Sequence, residues 1–187
     1  MFTHSYRLRE AARHIRAGRV IAYPTEAVYG LGCDPCNPAA VIKLLALKQR
    51  PIKLGLILIA SEFNQLLPFI KQPHDDMLKR ILPTWPGPVT WLLPAEPTTP
   101  LWVTGAHDSI AVRVTAHPIA AGLCDALGQP IVSTSANRHG KPSARSALGV
   151  QQRFGHQIDY VLGGATLGLD HPSEIRNAAS GQIIRAV

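Results

Sequence analysis

Val20-Ile21-Ala22-Tyr23-Pro24-Thr25-Glu26-Ala27-Val28-Tyr29-Gly30-Leu31-Gly32 is the stretch on which the reading of this chain turns. The apolar run Val20 to Tyr23 reads as a buried strand, and Pro24, with no N–H to donate, ends its ladder. A hydroxyl and a carboxylate, Thr25 and Glu26, follow at once. Gly30 and Gly32 are expected to let the backbone turn tightly and approach a ligand closely. Strands of α/β proteins that end in polar residues and glycines build sites at the carboxyl edge of a sheet. A plain strand-to-loop exit fits the same residues, so the rest of the chain has to decide.

Outward from this stretch, strands and helices alternate. Before it, Leu8, Ala11, Ala12 and Ile15 recur at helical spacing, predicting an amphipathic helix over Arg7 to Arg19 with Gly18 as its cap and Arg9, Arg13 and Arg16 on a solvated face. After it, Asn37-Pro38 marks a helix start, and Pro51 biases Arg50 out of helical conformation. Leu54 to Ala60 is an unbroken apolar run, hence a central strand. Short helices are expected around Glu62 to Ile70 and Asp75 to Leu82. Further strands are expected at Val89 to Leu93, Ser109 to Val114, Pro130 to Ser133, Tyr160 to Leu162 and Gln182 to Arg185. Helices are expected at His117 to Leu127 and Ala144 to Phe154, and residues 94 to 108 read as a surface loop. The alternation predicts one α/β domain over residues 1–187, built on a twisted central mixed sheet with flanking helices.

The bulk properties narrow the function. The 187 residues are 46% hydrophobic and 17% charged, which excludes a disordered chain. A net charge of +7 suits a polyanionic partner, nucleic acid or a nucleoside triphosphate, although many basic proteins have none. Cys33, Cys36 and Cys124 make an odd count, which argues against a disulfide framework and fits a reducing cytosol. The pair Cys33/Cys36 has no second pair or histidine couple to complete a zinc site and reads as packing. No secretory signal precedes the first helix, and the longest apolar runs are far too short to span a bilayer. A cytoplasmic protein with no membrane partner is expected.

The candidate chemistry gathers at strand exits. Besides Thr25 and Glu26 there is the Lys48-Gln49-Arg50 corner, and there is Ser133-Thr134-Ser135-Ala136-Asn137. In Ser109 to Val114, Ser109, Ala111 and Arg113 share one face by period two. Arg113 lies inside an apolar strand, so it must be paired or face a cleft. Glu26 would satisfy it, and so would a ligand carboxylate held in a bidentate fork. No G-x-x-x-x-G-K-[ST] loop, dinucleotide-binding glycine pattern or G-x-S-x-G elbow occurs. The histidines, His107, His117 and His171 among them, read as surface residues, and no acidic cluster proposes a metal cage. What remains is a cleft of hydroxyls, arginines and a lysine, suited to an anionic nucleotide and a small carboxylate. Its chemistry would rest on positioning and charge stabilisation.

Five of these segments together resemble the YrdC/Sua5 family of threonylcarbamoyl-adenylate synthases: Pro24 to Gly32, Lys48-Gln49-Arg50-Pro51, Trp85-Pro86-Gly87-Pro88-Val89-Thr90, Ser109 to Arg113, and Ser133 to Asn137. They come in the family's order and span most of the chain, which in length is similar to the short bacterial form. The resemblance implies a basic concave cavity on the twisted sheet. It also implies the reaction of L-threonine, bicarbonate or CO₂, and ATP to L-threonylcarbamoyl-AMP and pyrophosphate. A separate transferase complex would then pass the group to adenosine 37 of tRNAs that read codons beginning with A. Carried over by position, Thr25, Arg113 and Ser133 would contact threonine. Lys48, Arg50, Ser109, Ser135, Asn137 and Ser143 would hold ATP, with Lys48 and Arg50 stabilising charge as pyrophosphate leaves. Mg²⁺ would arrive with the ATP. The chain departs from the wider family at Ile59, where much of it has histidine, and at Gly55, in place of a proline. Two other functions would use similar residues: a non-catalytic RNA-binding module employing the basic cavity, and a carbamoyl-transfer domain of the hydrogenase-maturation type.

Overall fold

In the computed structural model, which describes residues 2–138 and 140–186, the chain runs through α1 (Phe2–Arg16), β1 (Ile21–Pro24), β2 (Tyr29–Gly32), α2 (Pro38–Lys48), β3 (Ile57–Ala60) and α3 (Asp75–Ile81). It continues through β4 (Val89–Pro94), α4 (Leu101–Thr104), β5 (Ser109–Val114), α5 (Pro118–Leu127), β6 (Ile131–Ser135), α6 (Ala147–Phe154), β7 (Tyr160–Val161), β8 (Glu174–Asn177) and β9 (Ile183–Arg185). Among the described residues the nine strands form one sheet in the order β7-β1-β2-β6-β3-β5-β4-β8-β9. The sheet is mixed, as expected: β1/β7, β3/β5 and β4/β8 are parallel and the other neighbours antiparallel.

Alternation along each strand feeds two cores. On one face, Leu31, Leu58, Trp91 and Val112 pack with Leu44 of α2 and Phe154 of α6. On the other, Ile21, Tyr23, Ile59 and Ile131 pack with Ile15 of α1 and with Leu123 and Cys124 of α5. Ile59, one of the two departures from the wider family's pattern, is therefore core. The next row on that second face, Ile57 paired with both Ala111 and Ser133, lines an open cavity. α1 and α5 cover one end of this face and leave the other end for a ligand.

Several boundaries differ from expectation for local reasons. Gly30 and Gly32 do not turn the chain. They lie in β2, antiparallel to β1, with Tyr23 opposite Gly30. A Cβ on Gly32 would meet Tyr23 Cε1 at 2.7 Å and Val132 O at 2.5 Å, so these glycines make room for the fully buried Tyr23 ring. The turn itself is Thr25 to Val28, closed by Thr25 N donating to Val28 O at 3.1 Å. The apolar run from Leu54 becomes strand only at Ile57, because Gly55 sits at φ 61° and closes a 3-10 turn over Ile52–Leu54. The helix expected from Ala144 starts at Ala147, where Ser146 Oγ accepts from Gly149 N at 3.1 Å. The first helix spans Phe2–Arg16 and gives way to a turn at Gly18, φ 71°. Asn37 caps α2 as read, its Oδ1 accepting from Ala40 N at 3.0 Å. The loop over residues 94 to 108 contains α4, and the polar strand β8 had no counterpart in the sequence reading. Cys33 and Cys124 are buried and Cys36 is exposed, all three as thiols.

Candidate active site

The cavity encloses about 330 Å³. Period two on β5 delivers Ser109, Ala111 and Arg113 to it, and β6 delivers Ser133 and Ser135. The β1–β2 turn brings Thr25 and Glu26. Glu26 bonds to Arg113 of β5 and to Thr115 and Ala116 just beyond it, although β2, β6 and β3 separate β1 from β5 in the sheet. That contact requires the sheet to curl, and the curl makes the face concave. Residues 163–173 then cross from β7 to β8. Leu169 N donates to Glu26 O at 3.2 Å, and Leu169, His171, Pro172 and Ser173 line the cavity.

The Glu26–Arg113 pair is nearly sealed, with 4% and 7% of the residues exposed. Arg113 Nη2 donates to Glu26 Oε2 at 3.3 Å; Glu26 Oε1 accepts from Thr115 Oγ1 at 2.7 Å and from Ala116 N at 3.1 Å. Burial pushes the Glu26 carboxyl upward. The Arg113 charge, the Thr115 hydroxyl and the backbone donors outweigh it and hold the group below the ordinary carboxylate value, so it is ionised. Arg113 Nε is buried with no hydrogen-bond partner among the described residues. Thr25 Oγ1 donates to Val28 O at 2.6 Å, leaving its oxygen free to accept.

Arg50 lines the cavity and is braced by donating through Nε and Nη2 to Gly55 O at 3.2 and 3.0 Å. Arg185, from the ninth strand, lines it too, with Nη2 donating to Ser173 O at 2.7 Å. Burial, then the charges of Arg113 and Arg50, lower the Arg185 value. Arg50 is lowered by burial alone. Both guanidinium groups stay charged at these depths. Three like charges in one concavity, Arg50, Arg113 and Arg185, face a single acid, Glu26, among the described lining residues. A bound polyanion relieves that repulsion.

Lys48 lies behind this lining. Its Nζ donates to Ser135 O, to Asn137 O at 2.9 Å and to Asn137 Oδ1 at 3.2 Å, so all three N–H groups hold the Ser135–Asn137 loop. Desolvation, with Arg50 adding to it, lowers Lys48 to about 8. Asn137 serves the same loop: Oδ1 accepts from Ser135 Oγ at 2.6 Å, and Nδ2 donates to Lys141 O at 2.7 Å. Ser143 is half-buried beside Ala144, whose N–H donates to Ala136 O at 3.0 Å. Of the sequence-read candidates, the structure gathers Thr25, Arg50, Ser109, Arg113, Ser133 and Ser135 around the cavity. Lys48, Asn137 and Ser143 stand outside its lining.

Sequence reading passed over Arg185 and Ser173 as site residues and read His107 and His171 as surface residues; both histidines are exposed, and all four border the cavity. A charge in the apolar run Ile183-Ile184-Arg185 is the signal that singled out Arg113, and it marks Arg185 too. His117 is no surface residue. It is 1% exposed and caps α5, Nδ1 accepting from Ile119 N at 3.2 Å while Nε2 bonds Ala165 O at 3.0 Å. An accepting Nδ1 puts the proton on Nε2.

The family model Sua5/YciO/YrdC, described as telomere recombination, matches residues 13–186. A threonylcarbamoyl-AMP synthase of Pseudomonas aeruginosa is 53% identical over 181 residues, covering 97% of this chain and 97% of that one. Its Pseudomonas putida counterpart is 52% identical with the same coverage. Among solved structures, P. abyssi Sua5 complexed with L-threonine has a TM-score of 0.85 at 36% identity. It covers 92% of this chain and 51% of that longer protein.

Proposed function

Since this chain belongs to the Sua5/YciO/YrdC family, we propose that it is a threonylcarbamoyl-AMP synthase, a nucleotidyltransferase acting on L-threonine and ATP. The observation that carries this is the convergence of Arg50, Arg113 and Arg185 with Thr25, Ser133 and Ser135 on one cavity of about 330 Å³. That volume is the size of a small-ligand site. Its cations suit a triphosphate, and its buried Arg113 fork suits a carboxylate.

The threonine amine takes up carbon from bicarbonate or CO₂ to give a carbamate. An oxygen of the carbamate attacks the α-phosphorus of ATP, the bond to the β-phosphate oxygen breaks, and pyrophosphate leaves; with bicarbonate, water is also lost. In this reading Arg113 holds the threonine carboxylate, with Thr25 and Ser133 beside it. Arg50 and Arg185 stabilise charge on the phosphates. Ser109 and Ser135 line the ATP path, while Lys48 and Asn137 set the loop that presents Ser135; Ser143 borders that loop. Mg²⁺ would come as the MgATP substrate, carried by the phosphates. The product would go to a threonylcarbamoyl-transferase complex acting on tRNA adenosine 37, in the cytoplasm, where ATP and tRNA are found. A non-catalytic RNA-binding module would need neither the buried Arg113 fork nor a cavity of small-ligand size.

The test is pyrophosphate release from ATP, threonine and bicarbonate without tRNA. Threonine-dependent release is expected, and its absence would sink the reading. Arg113→Ala is expected to raise KM for threonine well beyond its effect on KM for ATP, and Lys48→Ala to do the reverse.

A further inference from the structure

Two unfilled hydrogen-bonding positions sit side by side in the buried pair at the cavity wall. Arg113 Nε is a donor with no partner among the described residues. Among the described residues, Glu26 Oε2 accepts one hydrogen bond from another residue, from Arg113 Nη2, whereas Oε1 accepts two. A carboxylate oxygen has room for two, so Oε2 has one acceptor position open. An unfilled donor beside an unfilled acceptor is the complement of a zwitterion.

The charge distribution leads to the same place. Glu26 is the only acid among the described lining residues, against Arg50, Arg113 and Arg185. Lined by guanidinium groups alone, the cavity would repel an ammonium and welcome any small carboxylate. One ionised carboxylate beside the fork reverses that preference locally. We propose that Glu26 is the specificity-determining residue that makes the cavity select an α-amino acid, its carboxylate facing the substrate ammonium beside the Arg113 fork. This rests on the reading of Arg113 as the carboxylate site.

Glu26→Gln is the discriminating change. The amide oxygen can still accept from Thr115 and Ala116, but the charge is lost and an NH₂ replaces the acceptor that faced the ammonium. Threonine and 3-hydroxybutyrate, which keeps the carboxylate and hydroxyl but lacks the amine, are titrated calorimetrically into the full chain without ATP. The wild type is expected to bind threonine at least about tenfold more tightly, since a hydrogen bond to a charged group contributes about 1.5–3 kcal/mol. In Glu26→Gln threonine should weaken about tenfold or more while 3-hydroxybutyrate holds or tightens, bringing the ratio near one. A folded Glu26→Gln variant that weakens both ligands by the same factor, or keeps the wild-type ratio, overturns the proposal. Arg113→Ala should weaken both ligands together; if it leaves both unchanged, the carboxylate reading itself fails and the inference with it. Should Glu26→Gln not fold, Glu26→Asp carries the test. Withdrawing the charge by one methylene should cut the ratio several-fold, and an unchanged ratio overturns the idea.

Discussion

Lys48 shows how one side chain can serve a site it does not line. Its ammonium is buried, spends its donors on Ser135 and Asn137, and titrates at about 8. Above that pH the loop loses a charged anchor and the cavity loses nearby positive charge. The free-enzyme profile of kcat/KM for ATP is therefore expected to fall above about pH 8, approaching tenfold per pH unit. Lys48→Arg, which stays charged, should lose that limb; persistence of the limb in Lys48→Arg would show that another group titrates. Stability runs the opposite way. The folded value lies below the unfolded one, so between about 8 and 10.5 the unfolded chain binds more protons. The Lys48 contribution to stability thus rises with pH in that window. Comparing the melting temperatures of wild type and Lys48→Met from pH 8 to 10.5 should show the gap moving in favour of wild type.

The β1–β2 hairpin and the β5–α5 junction carry the element-scale predictions. A methyl on Gly32 meets a backbone oxygen, Val132 O, at 2.5 Å, whereas one on Gly30 meets side chains alone, the Tyr23 ring at 3.2 Å and Thr25 Cγ2 at 3.4 Å. Ring atoms can give and a sheet carbonyl cannot. Gly32→Ala is expected to destabilise by about 3 kcal/mol, at the top of the overpacking range, and Gly30→Ala by about 1 kcal/mol. Equal losses in denaturant unfolding would contradict this account of the glycines. His117→Ala removes the α5 cap and should cost about 1–2 kcal/mol, with His117→Asn recovering most of it; no recovery would assign the loss to the Ala165 bond instead. These two places also show what was legible in the chain. β5 was readable to the residue, because Ile110, Val112 and Val114 alternate against Ser109, Ala111 and Arg113. β2 was not, because half of Tyr29-Gly30-Leu31-Gly32 is glycine, and the need for glycine comes from Tyr23 across the hairpin. Arg50, Arg113, Thr25 and the serines were legible as cations and hydroxyls at strand exits. Arg185 and the loop-holding role of Lys48 were not, since both depend on which distant strand arrives beside them.

For the whole molecule the deciding quantity is the field inside the curled sheet. The chain carries a formal net charge of +7, and among the described lining residues three guanidinium groups converge on the cavity against one carboxylate. MgATP enters that field as an anion, whereas threonine enters as a zwitterion with no net charge. Long-range attraction acts on net charge, and salt shortens its reach from about 10 Å at 0.1 M to about 3 Å at 1 M. Short contacts inside the cavity, such as a carboxylate seated in the Arg113 fork, are screened far less. Raising NaCl from about 0.05 to 0.5 M is therefore expected to raise KM for ATP about tenfold through the loss of steering and of phosphate–arginine attraction. KM for threonine should move by less than about twofold over the same range, because its two charges cancel beyond the Debye length. Replacing Arg185, the cavity cation farthest along the chain, with Gln should flatten the ATP dependence and leave the threonine dependence as it was. An equal rise of both KM values with salt would mean that ionic strength acts on the fold of the cavity, and the steering account would fall.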